Sequence, residues 1–237
     1  MDLNKSTEES QSAPTEVKNE TTLADAASAG DVQCVCALLD AGADLHEQDD
    51  LALCCAAACG QTKVLRLLIG RGADVHAAHD EPIRQAARSG QTECVKTLLE
   101  FRVSARANDD AALLAAVDGS QAAMVRFLLR NGARVHARGD EAVRTAAKRG
   151  YASMLDILIE NGADWHAEGD QALICAARDG CTEIVRLLLK AGESCCLSKD
   201  QALREAEYNG HTDVARILIE AGACQSRADH PAANDLL

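Results

Sequence analysis

The chain has 237 residues, a formal net charge of −13 and a sequence pI of about 4.9. Proteins that bind a phosphate backbone carry basic patches, so this charge argues against nucleic acid as a partner. Hydrophobic residues make up 47 % of the chain and aromatic residues only 2 %, which predicts a core of Ala, Leu, Val, Ile and Cys.

The N-terminal segment, residues 1–19, is polar and has no apolar stretch of the kind that forms a signal peptide. Because it is rich in Ser, Thr, Glu and Gln, we expect it to be disordered. The chain contains no run of about 18 apolar residues, so no association with a membrane is expected. The 11 cysteines, an odd number without a secretion signal, are expected to stay reduced. We therefore predict an intracellular protein, cytoplasmic rather than nuclear.

A thirty-residue period follows this segment and continues without insertion or deletion to residue 229. Asp recurs at one position of the period and Gly at two others. Such a period predicts a solenoid, in which each unit buries its apolar face against its neighbours. The period defines seven units, 20–49, 50–79, 80–109, 110–139, 140–169, 170–199 and 200–229, and leaves a short C-terminal tail, 230–237.

Each unit has the pattern of two short helices, as residues 170–199 illustrate. Asp170 is placed to N-cap a first helix, helix A, which ends at a glycine. A second segment places Ile184, Leu187 and Leu188 on one face of another helix, helix B. The predicted fold class is therefore all-α, a solenoid of seven helix-turn-helix units.

The pattern AAxxGxxxxVxxLLxxGADV, seen in AARSGQTECVKTLLE and in GADVHA, resembles the ankyrin repeat over residues 20–229. The usual ankyrin unit has about 33 residues. Thirty-residue units resemble a variant found in ankyrin proteins of giant DNA viruses and protists. The shortening falls between GADVHA and helix A, so the resemblance implies short β-turn fingers instead of projecting hairpins. It also implies a module that presents a concave face of fingers and inner helices to another protein.

Helix A carries the side chains that are predicted to line this concave face. Basic residues outnumber acidic ones there by six to three, although the whole chain is acidic. At one position, apolar residues in even-numbered units alternate with arginine in odd-numbered units from the third onward. This pattern predicts a groove for an acidic segment of a partner protein that also carries spaced apolar residues. The candidate partner-binding residues are Arg84, Arg88, Leu114, Arg144, Lys148, Ile174, Arg178 and Arg204.

Two other interpretations of the surface charges stay open. Cations are favourable near the C-terminus of any helix, so the basic residues of helix A also fit a solvated face without a partner. The last position of helix B alternates in charge between units. That alternation predicts either ion pairs between neighbouring units or a surface for self-association or assembly into a larger complex. Between these we favour a monomer that binds a different protein.

No catalytic motif, phosphate-binding loop or dinucleotide fingerprint occurs, so we predict a protein that is not an enzyme and needs no cofactor. One histidine position recurs in four units, at His46, His76, His136 and His166. Neighbouring units are roughly 10 Å apart, which is too far for a shared metal ion, so these residues are predicted to stabilise turns. No metal site is predicted among the cysteines either. Oxidation of an exposed Cys54 or Cys55 is left open.

The period is broken at two places near the middle of the chain. Arg102 stands where the other units have glycine, and Gly119 and Ser120 are exchanged relative to their neighbours. A non-glycine residue in a left-handed conformation costs about 1 kcal/mol. We therefore predict that the stack is weakest, or locally bent, over residues 100–122.

Overall fold

The computed structural model describes residues 21–192 and 196–223, and both predicted tails lie outside these ranges. Within them, fourteen α-helices alternate in two sets and no β-strand is present. The A helices are α1 (Leu23–Ala29), α3 (Glu47–Ala58), α5 (Ala77–Arg88), α7 (Ala107–Asp118), α9 (Ala137–Arg149), α11 (Ala167–Arg178) and α13 (Cys196–Tyr208). The B helices are α2 (Val32–Asp40), α4 (Thr62–Gly70), α6 (Thr92–Glu100), α8 (Ala122–Arg130), α10 (Ala152–Glu160), α12 (Thr182–Ala191) and α14 (Thr212–Glu220).

The core is one continuous layer between the two sets of helices. Helix A contributes small residues, such as Ala56 and Ala57 of α3, which have no solvent exposure. Helix B contributes larger ones, such as Leu65 and Leu68 of α4, whose full burial is worth about 1.5–3 kcal/mol each. Small residues allow the A helices to approach each other closely, and neighbouring A helices pack more tightly than neighbouring B helices. The stack therefore curves with helix A on its concave side.

A left-handed turn, rather than a β-turn finger, leads into helix A. Three consecutive residues have positive φ just before the regular part of α5: Ala78 at 47°, His79 at 58° and Asp80 at 63°. The same conformation occurs at the start of α3, α7, α9 and α11. Non-glycine residues adopt it at a cost of about 1–2 kcal/mol each, so other contacts must hold the turn in place. Gly139 and Gly169 reduce that cost in the turns at the start of α9 and α11.

The predicted N-cap role of the periodic aspartates is wrong. The five periodic aspartates from Asp50 to Asp170 lie in the left-handed turn, and their carboxylates bond to turn residues instead of the first turn of helix A. In the fifth unit, for example, the buried Asp140 carboxylate accepts the backbone N–H of Asp164 at 2.8 Å and lies 3.0 Å from His136 Nδ1. We call this arrangement the aspartate latch. It ties the start of helix A to the turn after helix B of the same unit and to the preceding histidine.

The histidines therefore stabilise turns, as predicted. His46, His76 and His166 make the same contact with the aspartate four residues later. The fourth unit differs because Arg106 replaces the histidine. There Arg134 donates both its backbone N–H and its Nε to Asp110, at 2.7 and 2.8 Å. An arginine from the other side of the latch thus takes the place of the missing histidine.

The charged residues at the ends of the B helices do not pair with one another, although ion pairs between these positions of neighbouring units were one prediction. Glu100 pairs with Arg66 of the preceding unit at 2.7 Å, and Glu160 pairs with Arg126 at 3.4 Å. The oppositely charged Arg130, which was expected beside Glu100 and Glu160, takes part in no ion pair among the described residues. Exposed pairs of this kind contribute about 0–1 kcal/mol each. The pairs nevertheless show that these charges join neighbouring units of one chain.

The two breaks in the period have left-handed residues where glycine is usual. Arg102 has φ 67° and Ser120 has φ 57°. Gly119 instead has an ordinary negative φ, and it lies against the end of the preceding A helix. A Cβ atom on Gly119 would lie 2.9 Å from the carbonyl carbon of Arg88 and closer still to its oxygen. The exchange of Gly119 and Ser120 thus allows the third and fourth units to approach closely.

Candidate partner-binding groove

A depression of about 290 Å³ opens on the concave side where α5, α7 and α9 meet. Its apolar floor comes from α7, and its rim carries charged side chains from all three helices. We call it the central depression. It is lined by Glu81, Arg84, Gln85, Arg88, Ala111, Leu114, Ala115, Asp118, Arg138, Glu141 and Thr145. The rim has three acidic and three basic residues, so it is balanced in charge, in contrast to the net positive surface expected from helix A alone.

Arg84 lies on the wall of the central depression and is half-buried. Its guanidinium group forms an ion pair with Glu81, one turn earlier on α5. Its Nε is buried and has no hydrogen-bond acceptor among the described residues. A buried donor without an acceptor is costly, by about 1–3 kcal/mol, and usually finds a partner in protein or water. Arg84 is therefore the one residue of this rim that has a buried hydrogen-bond donor without an acceptor.

Arg88, the next basic residue of the groove, belongs to a cluster of charged side chains from three units. Asp118 at the end of α7 lies 3.6 Å from Arg88 of α5 and also pairs with Arg149 of α9. Its carboxylate thus occupies the space between two arginines. A partner carboxylate that approached Arg88 would meet Asp118 as a like charge, whereas an uncharged group would not.

The basic residues of the fifth unit have different roles. Arg144 pairs with Glu168 at 2.6 Å and donates to the carbonyl oxygen of Gly139 at 2.9 Å, so it supports the left-handed turn. Lys148 is exposed and forms no ion pair within the described ranges. Lys148 is therefore available for a partner, whereas Arg144 already holds its own chain together.

Of the remaining candidate residues, Leu114 lies in the central depression and the other three lie beyond it. Ile174 was expected to face outward, but only 6 % of its surface is exposed, so it offers little area to a partner. Leu114 is half-buried and forms part of the depression floor. Arg178 bonds to Asp179, and this hydrogen bond raises the pKa of the guanidinium. Arg204 is exposed on α13. The structure thus brings together Arg84, Arg88 and Leu114 and leaves the other candidates farther along the stack.

Sequence reasoning missed the acidic side of this site. Glu81 precedes Arg84 by three residues, a spacing that places both on one helix face, and this signal was readable in the sequence. Glu168 and Arg138 belong to left-handed turns. No local sequence pattern indicated that those turns reach the groove. The count of charges on helix A therefore omitted the groups that neutralise it.

The eight cysteines whose side chains the structure describes do not form a metal site. Cys54 is buried, and desolvation raises the pKa of its thiol to about 11, so Cys54 is not an exposed thiol of the kind whose oxidation the sequence left open. Burial also raises the pKa of Cys55, while Cys59 is the exposed member of this group. No cluster of three metal-binding side chains occurs in residues 21–192 and 196–223. No helix in the same ranges is long and apolar enough to span a bilayer.

These features define a curved stack of paired helices, a solenoid with an open groove on its inner side. A model of the family described as "Ankyrin repeats (3 copies)" matches residues 3–79, 53–139 and 143–229. The chain belongs to the ankyrin-repeat family, as its sequence pattern indicated. Ankyrin repeats generally serve as protein-protein interaction modules, and the fold is typically not enzymatic.

The fold is also similar to a solved structure. A crystal structure of the human ASB11 ankyrin repeat domain superposes with a TM-score of 0.69 and 21 % sequence identity. The match covers 86 % of this chain and 99 % of that domain. At this level of identity the likeness concerns the fold alone. No curated protein matches the sequence.

Proposed function

We propose that this protein is an adaptor, scaffold or inhibitor that binds an acidic segment of another protein in its concave groove. The groove runs over Arg84, Arg88, Leu114, Arg144, Lys148, Ile174, Arg178 and Arg204, and the partner is centred on the central depression. The observation that carries the proposal is the buried Nε of Arg84 without an acceptor, on the wall of a depression with an apolar floor. A carboxylate or carbonyl oxygen of a partner would satisfy this donor if the Arg84 side chain turned outward into the depression.

The exposed Lys148 and the partly screened Arg88 extend this positive character along the groove. Because the whole chain has a net charge of −13, an acidic partner is steered to the few places where cations cluster. The binding requires no cofactor. The free thiols of the described cysteines support a reducing, intracellular setting, and we propose the cytoplasm.

The test is an affinity capture from cell lysate with quantitative mass spectrometry. The groove variant is Arg88→Glu with Lys148→Glu, which leaves the structural contacts of Arg144 in place. The matched control is Arg130→Glu with Lys190→Glu, since both are exposed at the ends of B helices and take part in no ion pair in the described part of the chain. Proteins captured by wild type and control but lost by the groove variant support the proposal. Equal capture by all three forms contradicts it.

Assembly through the helix B surface is the competing function. It has less support, because the Arg66–Glu100 and Arg126–Glu160 pairs join units of the same chain. Sedimentation velocity over a hundredfold range of concentration separates the two functions. We expect a monomer throughout, and a dimer that the Arg130→Glu and Lys190→Glu changes dissociate would favour assembly.

A further inference from the structure

The central depression has a spatial order that specifies more than an acidic partner. Along the groove, the third unit presents Arg84 and Arg88, the fourth presents Leu114 and Asp118, and the fifth presents Lys148 beside Arg144. At these positions the middle unit is apolar and acidic, while each neighbour adds basic side chains that lie beside an acidic rim residue, Glu81 in the third unit and Glu141 in the fifth. A partner segment that fits all three units must therefore be acidic opposite the third unit, apolar opposite the fourth and acidic again opposite the fifth.

From this order we infer that the partner is an extended segment with the pattern acidic-x-x-apolar-x-x-acidic, an inference that rests on the proposed function. The apolar residue enters the central depression over Leu114, one acidic residue meets Arg84, and the other meets Lys148. The pattern reads the same in both chain directions, so either orientation of the segment satisfies it.

The spacing follows from two lengths. Packed helices lie 8–10 Å apart, so neighbouring units present equivalent positions about 10 Å apart. An extended chain rises about 3.3 Å per residue, and three residues therefore cover one unit. A partner helix, with a rise of about 1.5 Å per residue, would need about seven residues per unit. The size of the depression, about 290 Å³, fits one or two side chains and excludes a helix that is 10–12 Å in diameter.

The middle position must be uncharged for an electrostatic reason. Asp118 lies at that position, held between Arg88 and Arg149, and would repel a third carboxylate. The half-buried Leu114 and the buried residues Ala111 and Ala115 offer apolar contact instead. At one flanking position, the buried Nε of Arg84 is a hydrogen-bond donor that lacks an acceptor. The exposed ammonium group of Lys148 supplies a positive charge at the other.

Three fluorescent peptides of equal net charge test the spacing. The first contains Glu-Gly-Ser-Leu-Ser-Gly-Glu, and the second contains the same residues with Glu-Leu-Glu contiguous. The third separates each Glu from the Leu by seven positions, as a helical partner would require. Binding to the full chain is measured by fluorescence anisotropy at low salt, where charge interactions are least screened.

We expect the first peptide to bind about tenfold more tightly than the other two, a difference within the range of one well-placed contact. The Arg88→Glu and Lys148→Glu variant abolishes this preference, while the Arg130→Glu and Lys190→Glu control retains it. Leu114→Ala weakens binding of the first peptide but leaves binding of a version with Ala in place of Leu unchanged. Circular dichroism checks that every variant is folded. Because the charge variant does not alter the core, the test stands even where Leu114→Ala unfolds.

Two results overturn the inference, and they bear differently on the proposed function. If the contiguous or seven-residue peptide binds as tightly as the first, and all binding depends on Arg88 and Lys148, the spacing is wrong while acidic recognition stands. If no peptide binds in a way that depends on these residues, the motif is wrong altogether. The lysate capture then decides the proposed function independently, because it uses no peptide of assumed sequence.

Discussion

In the second unit, Asp50 accepts the backbone N–H of Asp74 at 3.2 Å and lies 3.1 Å from the ring of His46. In the fourth unit, Asp110 receives two shorter bonds from Arg134 and is completely buried. The end of helix A differs as well, since Gly60 is left-handed in the second unit whereas Ser120 is left-handed in the fourth. The comparison shows that the same backbone path is held by a titratable group in one unit and by a permanent charge in another.

The largest expected effect concerns the contact between Gly119 of the fourth unit and the backbone of Arg88. Gly119→Ala places a Cβ atom against the backbone carbonyl of Arg88, which cannot rotate away as a side chain could. We expect a loss of about 2–3 kcal/mol in the free energy of unfolding, the range for an overpacked contact. Ser89→Ala is the matched control, because Ser89 is exposed at the equivalent position of the third unit. Urea denaturation measures both, and equal stability of the two variants would show that the units relax apart.

The next effect tests which aspartate latch is stronger. Asp110→Ala leaves the backbone N–H and Nε of Arg134 without their acceptor, and we expect a loss of about 2 kcal/mol. Arg134 is half exposed, so water screens part of this loss. Asp50→Ala, which breaks longer bonds, should cost less. A double-mutant cycle between Asp110→Ala and Arg134→Ala isolates the pair. A larger loss for Asp50→Ala would reverse the comparison.

A smaller effect concerns the residue that follows helix B. Arg102 has φ 67° where Gly72 has φ 105°, and both are followed by the same kind of turn. Arg102→Gly should stabilise the protein by about 1 kcal/mol, because glycine adopts positive φ without steric cost. Gly72→Ala should destabilise it by a similar amount, since no atom lies within 4 Å of the added Cβ and only backbone strain is introduced. Two changes of the same sign would refute the assignment of strain to this position.

Hydrogen exchange of the wild type addresses the prediction that residues 100–122 are the weakest part of the stack. Arg102 and Ser120, the two left-handed residues that stand where other units have glycine, lie in this range, so local opening should cost less here than in residues 140–190. Trp165, the single tryptophan, is buried and stacks on His166 with ring centroids 3.5 Å apart. Its fluorescence therefore reports the fifth and sixth units separately from the whole-chain circular dichroism signal. Equal protection of both ranges would contradict the prediction.

The period was sufficient to predict the helices, because the apolar spacing recurs in every unit, the glycines that follow the helices recur in most units, and both act locally. The left-handed turn was not predictable in this way. Asp before a helix usually signals an N-cap, but Asp140 bonds to Asp164, 24 residues later, and to His136. The turn is stable only in the folded stack, where these distant groups meet. A local preference was therefore overruled by a tertiary contact.

The candidate groove shows the same limit for charges. Helical spacing correctly placed Arg84, Arg88 and Leu114 in one region, since they repeat on one face of helix A. It could not show that Glu168, from the turn at the start of α11, reaches Arg144, nor that Ile174 is almost fully buried. Whether a side chain is available to a partner depends on such neighbours. Its position on a helical wheel does not decide this.

The smallest expected effect is a difference in how stability depends on pH between the aspartate latch of Asp50 and that of Asp110. The hydrogen bond and the charge of Asp50 raise the pKa of His46 above its usual value of 6.5. The folded state therefore binds this proton more tightly than the unfolded state. The stabilisation is fully present below pH 6.5 and is lost as the pH rises through the folded-state pKa of His46. In the fourth unit Asp110 instead raises the pKa of Arg134, which stays charged throughout this range.

Urea midpoints measured from pH 5.5 to 8.5 check this difference against a His46→Gln variant. The wild type should lose slightly more stability than the variant as the pH rises, and the effect is small because the His46 side chain is largely exposed. Asp110→Ala should change stability equally at both ends of the range, since Arg134 stays charged throughout it. An NMR titration assigns the effect to His46 directly. A His46 pKa at or below 6.5 would mean that the ring does not bind Asp50 in solution, and the second unit would then depend on the bond from Asp50 to the Asp74 backbone alone.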